Sequence, residues 1–154
     1  MKTTKMMISM MVVYLFVFFP GRVFAQTDLE NHAQFSKNNK SILQHTNAIA
    51  SGEAKTKNDQ ISHYNEARKS FIEAKKANNL LKKGISENLK SEAVVHHDKI
   101  DKNYSAALPF VNSMLEELKN GNTDNARLKE QAKKLHDYID LAEKEHQVLI
   151  KETH

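Results

Sequence analysis

The sequence has 154 residues, no cysteine and a net charge of +4, which excludes disulfides, thiolate catalysis, thiolate metal sites and covalently attached c-type haem. Three basic residues, Lys2, Lys5 and Arg22, lie in an N-terminal leader with no acidic residue, so the rest of the chain carries only +1. That balance gives no concentrated basic patch of the kind nucleic-acid binding requires, and no nucleic-acid partner is expected.

The leader has the plan of a secretory signal peptide. Lys2 and Lys5 precede an apolar run from Met6 to Phe19, Pro20 and Gly21 break it, and Val23 and Ala25 occupy the small-residue positions of a cleavage site. The run is shorter than the roughly 20 residues of a membrane-spanning helix. Cleavage is expected after Ala25, with residues 1–25 as signal peptide and 26–154 as one exported domain, periplasmic or secreted and free of the membrane. Five of six methionines leave with the leader, so only Met114 remains and a methionine-rich copper site is excluded.

Gly52, Gly84 and Gly121 divide the remainder into four segments rich in Ala, Lys, Glu, Leu, Asn and Gln. Glycine just past a helix end is a stop signal, so the reading is four helices, roughly 28–50, 57–83, 86–119 and 123–151. The first has a capping-box start, Thr27-x-x-Glu30; Thr56 to Asp59, Ser86 and Thr123–Asp124 are starts for the others.

Each segment carries a seam at alternating steps of three and four. The first places His32, Phe35, Asn39, Ile42, Thr46 and Ile49 on one stripe; the second Tyr64, Ala67, Phe71, Ala74, Asn78 and Leu81. The third gives Ala93, His97, Ile100, Tyr104, Ala107, Val111, Met114 and Leu118, and the fourth Leu128, Ala132, Leu135, Ile139, Ala142, His146 and Leu149. Such seams with short turns specify an all-α, up-and-down antiparallel four-helix bundle. Pro109 removes one backbone bond inside the third helix, so a kink is expected near Ser105 to Pro109.

Three of the eight histidines, His32, His97 and His146, fall on seams where leucine would be more stable. His97 and His146 are almost equally far from Gly121, so an antiparallel hairpin brings them to one level. At about 1.5 Å per residue, His32 lies roughly one turn nearer the other end, unless the longer SGEAKT turn corrects the offset. Asn78 occupies the same layer. A buried polar group without a partner costs about 1–3 kcal/mol, and a metal ion removes the frustration of facing imidazoles. The leading expectation is therefore non-enzymatic binding of zinc or copper by His97 and His146, helped by His32 and Glu143. Glu143, one turn before His146, and Asp101, one turn after His97, are ligands or orienting carboxylates. A purely structural or protein-interaction bundle, with an unidentified protein partner, is the bland alternative.

A third reading rests on His32 in TDLENHAQF, near the start of helix one, and His146 near the end of helix four. In plan this is similar to cytochrome b562, although histidine stands in place of a methionine ligand and His97 occupies the apolar pocket. The resemblance implies haem b held axially by His32 and His146 and used in electron transfer. A di-iron carboxylate site needs two Glu-x-x-His motifs, and only Glu143 to His146 fits. His45 and His63 flank the Gly52 turn beside their seams and read as two exposed histidines, with a surface metal pair as the alternative; His96 and His136 point off the seams. No glycine-flanked serine, phosphate loop or nucleophile–base spacing suggests an enzyme. Protonating facing buried histidines below about pH 6 should loosen their end of the bundle.

Overall fold

The computed structural model describes residues 20–85, 90–120 and 125–153. Within them the chain forms four helices, α1 Pro20–Ser51, α2 Lys57–Gly84, α3 Lys90–Lys119 and α4 Asn125–Thr153, and no strand. The apolar leader up to residue 19 lies outside the described residues, as do Ser86, Gly121, Thr123 and Asp124. None of the described helices is long and apolar enough to cross a membrane.

α1 begins earlier than the capping signals suggested. Its backbone is helical from Pro20, so Thr27 lies inside the helix and does not start it. Proline in the first turn loses nothing, because its missing N–H has no intrahelical acceptor there. α2 starts where the sequence placed it: the Thr56 hydroxyl accepts from the Asp59 N–H at 3.1 Å and an Asp59 carboxylate oxygen accepts from the Thr56 N–H at 3.1 Å, a reciprocal capping box. α1 stops at Gly52, whose φ of +82° is strained for any residue with a Cβ; its N–H returns to the Ile49 carbonyl and that of Ala54 to Ala48. Gly84 behaves differently. It is the last residue of α2, and Ile85 caps the helix in extended conformation.

Cross-helix bonds fix the directions. His32 meets His146 and Ser36 meets Glu143 between α1 and α4. Ser41 meets Ser70 and His45 meets His63 between α1 and α2. His96 meets Glu145, and Glu117 meets Arg127, between α3 and α4. Lys57 meets the Asn120 carbonyl and Asn78 meets His97 between α2 and α3. In every pair one number rises as the other falls, so all neighbours run antiparallel. The α1–α2 and α3–α4 hairpins pack most extensively, α1–α4 less, and α2–α3 least. An open groove of about 570 Å³ follows the α2–α3 boundary past Ile72, Leu80 and Leu108.

The seams form the core. All six seam residues of α2, all eight of α3 and all seven of α4 are buried, and α1 buries Phe35, Asn39, Ile42, Thr46 and Ile49. Only His32 of the seam positions is half-buried. Thr46 satisfies itself within its helix, donating to the Ile42 carbonyl at 2.7 Å. α3 continues as helix through Pro109, whose side chain is exposed. Placing proline on the solvent side leaves the Ser105 carbonyl, which has lost its N–H partner, on the wet face of the helix.

Candidate functional site

The end of the bundle away from Gly52 holds a polar layer built from all four helices. α1 contributes His32, Ser36 and Asn39; α2 Asn78 and Lys82; α3 His97, Asp101 and Tyr104; α4 Glu143 and His146. His146 is fully buried and His97 is 2% exposed.

The imidazoles pair differently from the expectation. His32 Nδ1 lies 2.9 Å from His146 Nε2, the two rings stacked with centroids 5.1 Å apart. His97 instead turns to Asn78, its Nδ1 2.7 Å from the amide Oδ1. The primary pair is thus His32–His146 across α1 and α4, and not His97–His146 across α3 and α4. The SGEAKT turn brings His32 level with His146, correcting the one-turn offset that residue counting gave.

Hydrogen-bond logic fixes the protons. An amide oxygen only accepts, so His97 carries its proton on Nδ1. The Asn78 amide nitrogen donates to Asp101 Oδ1 at 2.7 Å, and Lys82 donates to Asp101 Oδ2 at 2.7 Å and to Asp98 at 3.0 Å. A continuous chain therefore runs from the buried imidazole through Asn78 and Asp101 to a surface ammonium. Asp101 acts at one remove from His97, as an orienting carboxylate for its amide partner.

On the other side of the layer, three donors hold Glu143: Ser36 Oγ at 2.6 Å, Asn39 Nδ2 at 2.8 Å and Gln147 Nε2 at 2.7 Å. Tyr104 in turn donates its hydroxyl proton to Asn39 Oδ1. Burial and the Glu143 charge push the Tyr104 pKa well up, so its hydroxyl stays a donor. His146 Nδ1 sits 3.8 Å from Glu143 Oε2, beyond hydrogen-bond reach. It is buried without a hydrogen-bond partner among the described residues, like Asn38 Nδ2 and the Tyr64 hydroxyl. A proton on Nδ1 faces the carboxylate favourably, whereas a bare lone pair there would be repelled. His146 is thus assigned as the Nδ1–H tautomer, accepting at Nε2 from His32 Nδ1–H.

Burial dominates the titration of both core imidazoles. Desolvation, together with the charge of His32, lowers the His97 pKa to about 4. Desolvation likewise lowers His146 to about 4, with Glu143 opposing and His32 and His97 reinforcing it. Both are neutral at neutral pH.

The four expected metal ligands, His32, His97, His146 and Glu143, share one end of the bundle but do not converge as one ligand set. His97 is committed to Asn78 and Glu143 to its three donors, and no group of three or more His, Asp or Glu among the described residues is placed to hold an ion. Axial ligation of haem b by His32 and His146 fits poorly. Their rings are stacked directly on one another, and Phe35 closes the edge at 4.6 Å from the His146 centroid. No slot for a macrocycle separates them among the described residues.

Sequence reasoning missed Ser36, which lies off the seam, and the joining of Asn39, Tyr104 and Glu143 into one network. It also missed His96, whose two nitrogens lie 2.6 and 2.7 Å from Glu145 and Glu152. The i, i+7 spacing of those two carboxylates on α4 was the available signal. No family model, curated protein or solved structure matches this chain.

Proposed function

We propose that this chain is an exported, non-enzymatic bundle, periplasmic or secreted after cleavage at Ala25, whose histidine layer is an acid-labile latch. The observation that carries the reading is the His32–His146 contact of 2.9 Å at a position where His146 has no solvent exposure. An imidazole pair at that distance needs one N–H and one bare nitrogen. Protonating both rings sets two donors against each other beside the core, where the Glu143 charge offsets part of the cost at His146. Charged groups face the layer from every helix: His32 from α1, Lys82 from α2, His97, Asp98 and Asp101 from α3, and Glu143 from α4. An exported protein meets external pH directly, so such a layer would let acid loosen one end and uncover seam residues such as Phe35 and Leu149 to a protein partner.

Amide hydrogen exchange on the untagged protein tests this. Between pH 7 and pH 5, after correction for intrinsic rates, amides around His32, His97 and His146 should lose protection while those around Met114 and Leu128, at the other end of the α3–α4 hairpin, keep theirs. Equal loss at both ends, or none, would overturn the latch.

One observation favours a second reading. His146 Nδ1 and Glu143 Oε2 are unbonded to each other at 3.8 Å, a gap that an ion with bonds of about 2.0–2.2 Å to each could bridge. Zinc or copper bound there would displace the Nδ1 proton and give that nitrogen a partner, with His32 or His97 recruited by ring rotation. Elemental analysis decides it: one equivalent present in the wild type and lost in His146→Ala.

A further inference from the structure

Away from the buried layer, two more imidazoles meet. His45 of α1 and His63 of α2 stand on facing sides of the Gly52 hairpin, both half-buried and not fully exposed as their off-seam positions suggested. Their Nδ1 atoms are 2.9 Å apart, with ring centroids at 5.1 Å and planes tilted by 53°. A direct nitrogen–nitrogen contact holds only while one ring carries a proton at that atom and the other does not. Burial, reinforced by the neighbouring His63, lowers the His45 pKa, so its ring is unprotonated at neutral pH.

Two imidazole nitrogens this close also offer a divalent transition metal two ligands, once each ring turns its lone pair from its neighbour toward the ion. Metal–nitrogen bonds of about 2.0–2.1 Å at a right angle place two nitrogens about 2.9 Å apart, and at the tetrahedral angle about 3.4 Å apart. The observed spacing therefore matches that of adjacent corners of a square or octahedron, and ring rotation supplies the remaining adjustment. Copper(II) prefers that tetragonal N,O geometry and heads the divalent affinity series. Glu66 lies one turn beyond His63 on α2, close enough to act electrostatically on His45, and its negative charge favours a cation there.

We infer that His45 and His63 form a two-histidine clip for a divalent transition metal, copper(II) foremost, with water completing the coordination. The bound ion would strap α1 to α2 next to their turn. This site is separate from the buried layer at the opposite end and does not depend on how that layer acts.

Untagged protein titrated with copper(II) chloride tests it, read by calorimetry and by nitrogen hyperfine structure in the electron paramagnetic resonance spectrum. The expected result is one equivalent coordinated by two imidazoles, weakened at least tenfold in His45→Ala and in His63→Ala. His136→Ala, on α4 and outside both histidine groups, should bind as the wild type does. Circular dichroism checks that each variant remains helical, and His63→Gln substitutes for any alanine variant that does not fold. Copper binding unaffected by changes at His45 and His63, or lost only in His146→Leu, His96→Ala or His136→Ala, would overturn the clip.

Discussion

His97 donates its Nδ1 proton to the Asn78 amide oxygen at 2.7 Å across the α2–α3 boundary, and both side chains are at least 98% buried. They form one energetic unit. His97→Leu removes the donor and strands the Asn78 oxygen in the core, so it should cost about 1–3 kcal/mol. Asn78→Leu should cost a similar amount for the mirror reason, and it also releases Asp101. The double variant His97→Leu/Asn78→Leu buries two apolar groups and should recover most of the loss. Urea unfolding of the four proteins gives the coupling directly; additive single effects would mean the bond contributes nothing.

The depressed pKa values make stability depend on pH in a defined direction. An unfolded histidine titrates near 6.5, whereas His97 and His146 titrate near 4 when folded. Above pH 6.5 both states are neutral and nothing changes. Between 6.5 and 4 the unfolded state binds more protons, so stability falls as pH falls, and the loss saturates below 4. At pH 5 the loss should reach at most about 2 kcal/mol per histidine. The carboxylates of Asp59, Glu130 and Asp137 are held low by bonds from Thr56, Lys134 and Lys133. Their contribution is present above the ordinary carboxylate range and disappears below it, a separate window. Urea midpoints at pH 7.5, 6 and 5 isolate the histidine effect, and a flat profile would contradict it.

The seams were legible because burial in a bundle follows a period that sequence displays. Leu128 through Leu149 on α4 and Ala93 through Leu118 on α3 are buried at every seam position, including the two imidazoles. Which imidazole pairs with which was not legible. Counting from Gly121 equates His97 and His146, but partner choice depends on ring rotation and on helix adjacency, and Asn78 competes for His97. Flanking positions were misread for a related reason. His45 and His63 lie beside their seams, where a side chain faces the neighbouring helix as much as water, and they are half-buried against each other. Gly84 shows the limit of residue type as a signal: it ends α2 without the left-handed backbone that Gly52 adopts.

Asn39 should prove the most sensitive polar residue of α1. It is fully buried, accepts from the Tyr104 hydroxyl and donates to Glu143 Oε2 at 2.8 Å. Asn39→Leu leaves the hydroxyl of Tyr104, a residue only 1% exposed, without its acceptor and takes one donor from a carboxylate. A loss of about 2–4 kcal/mol is expected. Adding Tyr104→Phe should return about 1 kcal/mol or more, because the stranded hydroxyl is gone. If the double variant is as unstable as Asn39→Leu alone, the Tyr104 bond is not what Asn39 supplies.

His146→Leu should act in the opposite direction from His97→Leu. His97 uses its inward nitrogen, whereas His146 buries Nδ1 without a partner, beside the Phe35 ring and on a seam otherwise made of Leu, Ile and Ala. Leucine removes that orphaned atom and leaves Glu143 with its three donors intact. With a chelator present at pH 7.5, the variant should be more stable by about 1 kcal/mol or more. Its acid sensitivity between pH 6.5 and 5 should fall by at most about half, since one of the two histidines lowered to about 4 is gone while His97 and the less depressed His45 remain. A less stable His146→Leu protein under those conditions would mean that the stacked His32–His146 pair contributes more than its unsatisfied nitrogen costs. The layer would then be a stabilising feature at neutral pH and not a concession to acid response.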